Sequence, residues 1–135
     1  MYKKLNSNLN GYHFLLSLET QGIKLGLSRT KKLLISCGNP EKNIQSIQII
    51  GTNGKGSTAA SIASILESKG LKVGLYTSPH LVKLNERIQI NRKCISNYHI
   101  NKFIMQNENE IINQSGTFFE SMTVLAMDYF NKQKV

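Results

Sequence analysis

The sequence predicts an α/β fold in which a parallel β-sheet is flanked by helices. Three consecutive features carry this prediction: a short β-branched run at residues 46–50, a glycine-rich loop at residues 51–57, and a helical pattern over residues 58–69. A second apolar run follows at residues 72–76. The resulting order of strand, loop, helix and strand is typical of the right-handed βαβ unit of parallel sheets.

The N-terminal part of the chain is predicted to be helical. Residues 10–20 carry large apolar side chains among polar neighbours, which indicates a short helix. A second helix is predicted over residues 28–36, with Ser28 as its cap. Gly38 and Pro40 are expected to end it.

The central helix is predicted over residues 58–69, and Gly70 supplies its C-terminal stop. Its apolar stripe, at helical spacing, consists of Ala59, Ile62, Ala63 and Leu66. After the strand at residues 72–76 comes a polar loop at residues 77–86. An alternating run at residues 87–90 then predicts a further short strand.

Two helices are predicted in the last third of the sequence, over residues 96–113 and 117–131. The apolar stripe of the second consists of Phe119, Met122, Ala126 and Tyr129. No internal repeat or low-complexity linker interrupts the pattern. Residues 46–135 are therefore interpreted as one α/β unit, and residues 1–45 as a helical segment of the same domain.

The composition indicates a globular, basic chain. Of its 135 residues, 40% are apolar and 19% are charged, and the formal net charge is +9. The lysines are scattered without a dense basic run, which is most simply a solvated basic surface. Binding of small polyanions such as ATP and a basic nucleic-acid-binding protein stay as alternatives. Cys37 and Cys94 lie far apart without metal-ligand spacing, and no run is long enough for a signal peptide or a membrane span. A cytoplasmic protein with free thiols and no membrane partner is expected.

The loop at residues 51–57 reads GTNGKGS and lies between a predicted strand and a predicted helix start. The first turn of a helix offers unpaired N–H groups and about half a positive charge, which attract phosphate. Glycines let the backbone wrap an anion, Lys55 adds a point charge, and Ser57 or Thr58 can offer a hydroxyl to Mg²⁺. A lysine inside such a loop has no obvious packing purpose, so a P-loop-type nucleotide site is favoured over a glycine turn without a ligand.

A second interpretation competes at this loop. In the usual P-loop the lysine directly precedes Ser or Thr, whereas here Gly56 separates Lys55 from Ser57. Residues 54–59 also fit the dinucleotide fingerprint, which keeps an NAD(P)-binding oxidoreductase module as an alternative. That fingerprint expects an acidic residue about 20 positions on. The second predicted strand ends without one at residues 75–78.

Four parts of the sequence together resemble the folylpolyglutamate synthase/dihydrofolate synthase family of the Mur ligase superfamily. Residues 51–57 resemble the P-loop of its folate branch, and residues 73–81 with residues 85–88 resemble its second strand and the mobile loop that follows. Residues 25–29 resemble its N-terminal folate-site segment, and residues 117–120 the segment that lines its pterin pocket. The resemblance implies the N-terminal part of a Mur-ligase ATP-binding domain.

The resemblance implies an ATP-dependent ligase that adds L-glutamate to dihydropteroate or a folate through an acyl phosphate, with ATP and Mg²⁺ as cofactors. The residues implied to cradle the ATP phosphates are Thr52, Asn53, Gly54, Lys55, Gly56 and Ser57. Lys55 would stabilise charge on the γ-phosphate, and Ser57 and Ser78 would reach the metal. The residues implied to contact the pterin or folate are Leu25, Arg87, Thr117, Phe118, Phe119 and Glu120.

Two of the implied residues in the loop at residues 77–86 and the strand after it also have structural interpretations. Ser78 precedes Pro79, and a Ser–Pro pair is commonly a turn. Arg87 either contacts a substrate carboxylate or pairs with Glu86. The role of His80 stays open.

The implied pterin segment has structural interpretations as well. Thr117 and Glu120 form a T-x-x-E capping box, which explains their spacing without a substrate. Phe118 and Phe119 either face the pterin ring or pack in the core. Because Phe119 belongs to the apolar stripe, Phe118 is the better candidate for the ring.

The resemblance also implies parts that this sequence lacks. The family's next strand would follow Val135 and lead to an acidic magnesium ligand. A histidine magnesium ligand, a carbamylated lysine and a second domain would come later. The chain is therefore expected to be truncated and inactive alone, and the full-length enzyme to act as a monomer on small molecules. Whether that enzyme makes dihydrofolate, extends polyglutamate tails or does both stays open.

Overall fold

Helices dominate the computed structural model, which describes residues 11–22 and 24–135. The α-helices of the described part are α1 (Gly11–Ser17), α2 (Ser28–Ser36), α3 (Lys55–Ser68), α4 (Asn97–Asn113) and α5 (Phe118–Lys132). The strands are β1 (Gly74–Tyr76), β2 (Ile88–Ile90) and β3 (Lys93–Cys94), and 3₁₀ helices cover Leu18–Gln21, Pro40–Asn43 and Leu84–Arg87. Each predicted helix is present to within a few residues. Residues 1–10, where the predicted helical segment and the first predicted helix begin, lie outside the described residues.

Side-chain capping differs between the helix starts. Ser96 caps α4, because its hydroxyl accepts the N–H of His99 at 3.4 Å. The predicted Ser28 cap is wrong: Ser28 is already the first residue of α2, and Leu27 holds the cap position without a side-chain bond.

In residues 11–22 and 24–135, no helix combines the length and apolarity that a membrane crossing would need.

The described strands form one antiparallel sheet in the order β1-β2-β3, not the predicted parallel sheet. Gly74 pairs with Ile90 and Tyr76 with Ile88. The reason is the connection, since a loop and a short 3₁₀ helix join β1 to β2 without the long crossover that parallel strands need. β2 and β3 are joined through Asn91 and Arg92, which both have positive φ, the conformation that suits a tight hairpin turn.

The run at residues 46–50 is not a strand in the structure, contrary to the prediction. Ile47 is 67% exposed and Ile50 is 84% exposed. A strand is defined by hydrogen bonds to a neighbour, and no described segment pairs with this run. The β-branched composition of this run therefore does not lead to strand pairing in this structure.

The hydrophobic core lies between the first two and the last two helices. α1 packs on α4, and α2 packs on α5. Fully buried side chains from all four helices meet there, including Leu15, Leu33, Ile104 and Leu125. α5 is buried on most of its surface and also lies against the sheet, where the Phe130 ring approaches Gly74.

α3 lies at the periphery of this core. Of its predicted apolar stripe only Ala63 is buried, and the other three members are half-buried. The helix contacts β1. It is also held near its C-terminal end, where Arg92 Nε lies 3.0 Å from Glu67 Oε2. Its N-terminal end and the loop before it are consequently open to solvent.

Candidate functional site

The loop at residues 51–57 leads into the N-terminus of α3, as predicted. Gly54 takes the N-cap position with a φ of 74°, in the left-handed region that favours glycine. Lys55 is the first helical residue. The N–H of Thr58 donates to the Gly54 carbonyl oxygen at 2.9 Å, which closes the first turn.

The first turn of α3 offers free hydrogen-bond donors. Within the described part of the chain, the N–H groups of Lys55, Gly56 and Ser57 have no acceptor. A Cβ added to Gly54 or Gly56 would meet no atom within 4 Å, so the space around this turn is open. Free donors, the positive end of the helix macrodipole and open space fit a phosphate group.

The Lys55 side chain folds back over the loop. Its Nζ donates to the carbonyl oxygen of Gly51 at 2.7 Å and to that of Thr52 at 3.0 Å. The Lys55 side chain is exposed, yet it has a structural role that the sequence did not indicate, because the ammonium satisfies two loop carbonyls. An ammonium has three donors, so one remains for a phosphate oxygen.

Arg87 connects the loop after β1 to the start of α5. It is buried, and its guanidinium carbon lies 5.0 Å from the centroid of the Phe118 ring. Its Nη1 donates to Ser78 Oγ at 2.8 Å, and its Nε donates to His80 Nδ1 at 2.9 Å. Ser78, His80, Arg87 and Phe118 are called the Arg87 cluster below.

The alternatives at Arg87 and Ser78 are narrowed by these contacts. The pairing of Arg87 with Glu86 is wrong, because the Glu86 carboxylate turns to backbone N–H groups instead. The Ser78 hydroxyl accepts from a guanidinium, and a metal ion at the same oxygen would meet like-charge repulsion. As arranged, Ser78 fits the turn interpretation better than a metal ligand.

The Glu86 carboxylate holds the loop between Ser78 and the 3₁₀ helix. It accepts the N–H groups of Leu81 at 2.9 Å, Lys83 at 2.9 Å and Val82 at 3.3 Å. The hydrogen bond from Leu81 is the main cause that lowers the pKa of Glu86, followed by the one from Lys83.

We expect this loop to loosen in acid. A carboxyl whose folded pKa is depressed stabilises the folded state above its unfolded pKa, and that contribution is lost as the pH falls through the folded pKa. The amide NMR shifts of Leu81 and Lys83 should titrate with a midpoint below the ordinary glutamate pKa of about 4.3. In Glu86→Gln, which lacks the charge, the same shifts should not titrate. Titration of the two amides at an ordinary glutamate pKa would contradict the assignment.

Glu120 is the centre of a buried network at the start of α5. Its carboxylate accepts the Thr117 N–H at 2.8 Å and the Thr117 hydroxyl at 3.0 Å. Arg29 Nε lies 2.9 Å from Glu120 Oε1, and their side chains are 21% and 6% exposed. The predicted capping box is confirmed. Both carboxylate oxygens are thus engaged within the protein, which leaves a structural role for Glu120.

The two phenylalanines exchange the roles expected from the sequence. Phe118 is buried beneath Arg87, whereas Phe119 is 55% exposed. Met122 and Ala126 of the predicted stripe are buried, so the error lies at its first member, where Phe118 rather than Phe119 faces the core. Phe119 is therefore the aromatic ring available to a ligand. Leu25 is 93% exposed and equally available.

The structure brings most predicted substrate residues together and leaves the nucleotide loop apart. Leu25, Arg29, Glu120 and the Arg87 cluster form a continuous series of contacts around the start of α5. Among the described hydrogen bonds, none joins this series to the loop at residues 51–57. α3, which begins at the nucleotide loop, packs on β1.

The described acidic side chains do not form a cluster that could bind a metal ion. In the described ranges, no three His, Cys, Asp or Glu side chains lie close enough to hold a metal ion. The exposed Ser57 hydroxyl at the start of α3 fits a magnesium ion that is bound mainly through nucleotide phosphates. Ser78 does not fit this role while Arg87 occupies its hydroxyl.

Two residues of the site have roles that the sequence did not reveal. The sequence places Arg29 in the segment that resembles the folate-site segment, but its ion pair with Glu120 spans 91 positions. His80 had no assigned role, and it accepts a hydrogen bond from Arg87. A buried arginine or glutamate has no local sequence pattern, so only the T-x-x-E spacing hinted at this network.

Comparisons with known proteins give one consistent group of relatives. A dihydrofolate synthase/folylpolyglutamate synthase of Bacillus subtilis is 42% identical over 115 residues, which cover 81% of this chain and 27% of that protein. No family model matches. The chain spans between 15% and 28% of the length of the curated relatives it matches.

Solved structures show the same likeness. A folylpolyglutamate synthase of Thermotoga maritima matches with a TM-score of 0.83 and 38% identity, covering 92% of this chain and 31% of that one. A bifunctional folylpolyglutamate synthase/dihydrofolate synthase of Yersinia pestis, solved in complex with AMPPNP and a manganese ion, matches with a TM-score of 0.81 and 32% identity. It covers 97% of this chain and 33% of that one. The α/β fold class is thereby confirmed, although the described sheet is small and antiparallel.

Proposed function

The chain belongs to the folylpolyglutamate synthase/dihydrofolate synthase family, matching the N-terminal part of its members, and on that premise we propose that it supplies the phosphate-binding surface of an ATP-dependent ligase. The proposed reaction joins L-glutamate to dihydropteroate or a folate. The substrate carboxylate takes the γ-phosphoryl group of ATP to form an acyl phosphate, and ADP leaves. The glutamate amine then attacks the acyl carbon, loses a proton and displaces inorganic phosphate, so that an amide forms.

The observation that carries this proposal is the first turn of α3. Three backbone N–H groups, from Lys55 to Ser57, are free within the described part of the chain at the positive end of a helix that extends to Ser68. Phosphoryl transfer needs charge stabilisation more than a side-chain nucleophile. A helix start with free donors supplies this stabilisation without any rearrangement.

Lys55 has a double role in this proposal. It closes the loop through the carbonyls of Gly51 and Thr52 and keeps one donor for the γ-phosphate. The loop is therefore shaped before the nucleotide arrives, which lowers the ordering cost of binding. Thr52 and Asn53 complete the proposed phosphate contacts.

Magnesium would be held chiefly by the nucleotide itself. The residue of this chain best placed to add a ligand is Ser57, through its hydroxyl. A bound Mg²⁺ supplies charge neutralisation on the phosphates. Ser78 could add a second hydroxyl ligand to the magnesium ion only if Arg87 no longer donated its hydrogen bond to that hydroxyl.

The folate side of the proposed site lies around the start of α5. The exposed side chains of Phe119 and Leu25 offer apolar surface to a flat ring. Thr117, Phe118 and Glu120 support this surface from below through the capping box and the Arg87 cluster. In this proposal Arg87 acts by fixing the loop rather than by contacting the substrate carboxylate.

Binding of AMPPNP to the 135-residue chain tests the proposal. Calorimetric titration with Mg·AMPPNP should detect binding, and Lys55→Ala should weaken it by about 10- to 100-fold, since a hydrogen bond to a charged group contributes about 1.5–3 kcal/mol. Lys69→Ala is the matched control, because Lys69 is exposed at the opposite end of the same helix. We expect its affinity to stay within about twofold of the wild type.

NADH is the second ligand to titrate. The dinucleotide alternative requires a parallel strand after the helix, whereas β1 pairs antiparallel with β2. Tighter binding of NADH than of AMPPNP would refute the proposed function. Equal AMPPNP affinity in Lys55→Ala and the wild type would remove the role of Lys55.

A further inference from the structure

Arg29, in the first turn of α2, bridges two segments that are distant in sequence. Its Nε contacts Glu120 Oε1 at 2.9 Å and Oε2 at 3.2 Å. Its Nη2 donates to the carbonyl oxygen of Leu25 at 3.3 Å. One guanidinium therefore joins the segment at residues 24–27 to the start of α5.

The anchor on α5 is fixed independently of Arg29. The Glu120 carboxylate also accepts the N–H and the hydroxyl of Thr117, and Glu120 is buried. A carboxylate with this many donors has a single preferred orientation. Arg29 is consequently placed by Glu120, and Leu25 is placed in turn by Arg29.

The segment at residues 24–27 has few other means of holding its position. Leu25 and Leu27 are both largely exposed, so burial does not fix them. Gly26 has a φ of 101° and contributes no side chain. The segment is also held at its two ends, where Lys24 Nζ donates to the Ser115 carbonyl oxygen at 3.2 Å and the Leu27 carbonyl oxygen accepts the N–H of Lys31 at 2.9 Å. Among the described hydrogen bonds of this segment, the one from Arg29 is the bond that reaches Leu25 itself.

We infer that Arg29 is a positioning residue that holds Leu25 beside the start of α5, so that the flat ring of a folate meets a preformed apolar surface with Phe119. The inference rests on the proposed function for the identity of the ligand. It adds a residue that touches neither the ligand nor the nucleotide and acts through Leu25. Without the tether, binding must also order the segment, which costs affinity.

Lysine separates this role from a purely structural one. A lysine at position 29 keeps the positive charge for Glu120 but lacks the fork that reaches a second acceptor. Arg29→Lys should therefore keep most of the ion pair and lose the bond to the Leu25 carbonyl. Arg29→Met should lose both.

The test compares four measurements on the wild-type chain and both variants: the Kd for folate, the Kd for Mg·AMPPNP, the urea midpoint of unfolding, and the rate of tryptic cleavage after Lys24. For Arg29→Lys we expect about a tenfold higher folate Kd and about tenfold faster cleavage after Lys24, because the segment opens more often. Its AMPPNP Kd should stay within about twofold and its urea midpoint close to the wild type. Arg29→Met should show the same two changes together with a lower midpoint.

Arg92→Lys is the matched control, because Arg92 makes an exposed ion pair with Glu67 and a second bond to Ser64 on α3, away from Leu25. It should leave the folate Kd and the cleavage after Lys24 unchanged. A folate Kd within about twofold of wild type in both Arg29 variants would overturn the inference, and so would a parallel loss of folate and AMPPNP affinity. A wild-type chain that binds AMPPNP without folate would overturn the inference alone, whereas one that binds neither would refute the proposed function as well.

Discussion

Glu120→Ala is expected to lower the free energy of unfolding by about 3–5 kcal/mol, the range found when one partner of a buried ion pair is removed. The substitution leaves Arg29 without its charge partner and Thr117 without the acceptor for its N–H and hydroxyl. The first turn of α5 loses its capping box at the same time. Urea unfolding followed by circular dichroism measures the loss.

Two controls give this experiment its meaning. Glu67→Ala removes the carboxylate of the more exposed ion pair with Arg92, and it should cost about 1 kcal/mol or less. Glu120→Gln keeps an acceptor for Thr117 but loses the charge, so its cost should fall between the other two. If Glu120→Ala costs no more than Glu67→Ala, the network around Glu120 does not hold α2 on α5.

Gly74→Ala is expected to destabilise the protein by about 3 kcal/mol, at the upper end of the usual cost of overpacking. A Cβ at this position would lie 2.8 Å from two carbons of the Phe130 ring, Cδ1 and Cε1. Phe130 is buried in the core, so the ring has little room to move. Thermal and urea unfolding of the variant measure the effect.

Gly51→Ala is the matched glycine substitution, because its added Cβ would meet no atom closer than 3.9 Å. It should change stability by less than about 0.5 kcal/mol. Phe130→Leu made together with Gly74→Ala should cost less than the sum of the two single changes, because the smaller side chain relieves the contact. Strict additivity would show that the two positions do not meet as described.

The helices could be predicted because their signals are local. Apolar spacing in the sequence predicts α4 and α5, and the T-x-x-E sequence marks the start of α5. The strand pairing of the sheet could not be predicted from local signals in the same way. Residues 46–50 are rich in isoleucine, as strands often are. Strand formation also needs a partner segment to pair with, and the local composition does not identify that partner.

The site was predictable to the same extent. The glycine at position 54 and the helix start after it follow from local sequence, and the structure has both. The choice between Phe118 and Phe119 failed, because these residues lie four and three positions before Met122, and both spacings fit one face of a helix. The contacts of Arg29 and Arg87 join distant segments, so no spacing rule could indicate them.

The packing of the first two helices on the last two has a consequence for biosynthesis. α1 and α2 are made early, but their partners α4 and α5 lie about 90 positions further along the chain, as the contact between Arg29 and Glu120 illustrates. At a translation rate of about 5–20 residues per second, the early helices wait several seconds for those partners. During that interval the apolar side chains of Leu15 and Leu33 are not covered by α4 and α5. A chaperone that binds exposed apolar segments of nascent chains would therefore have a binding site on α1 and α2.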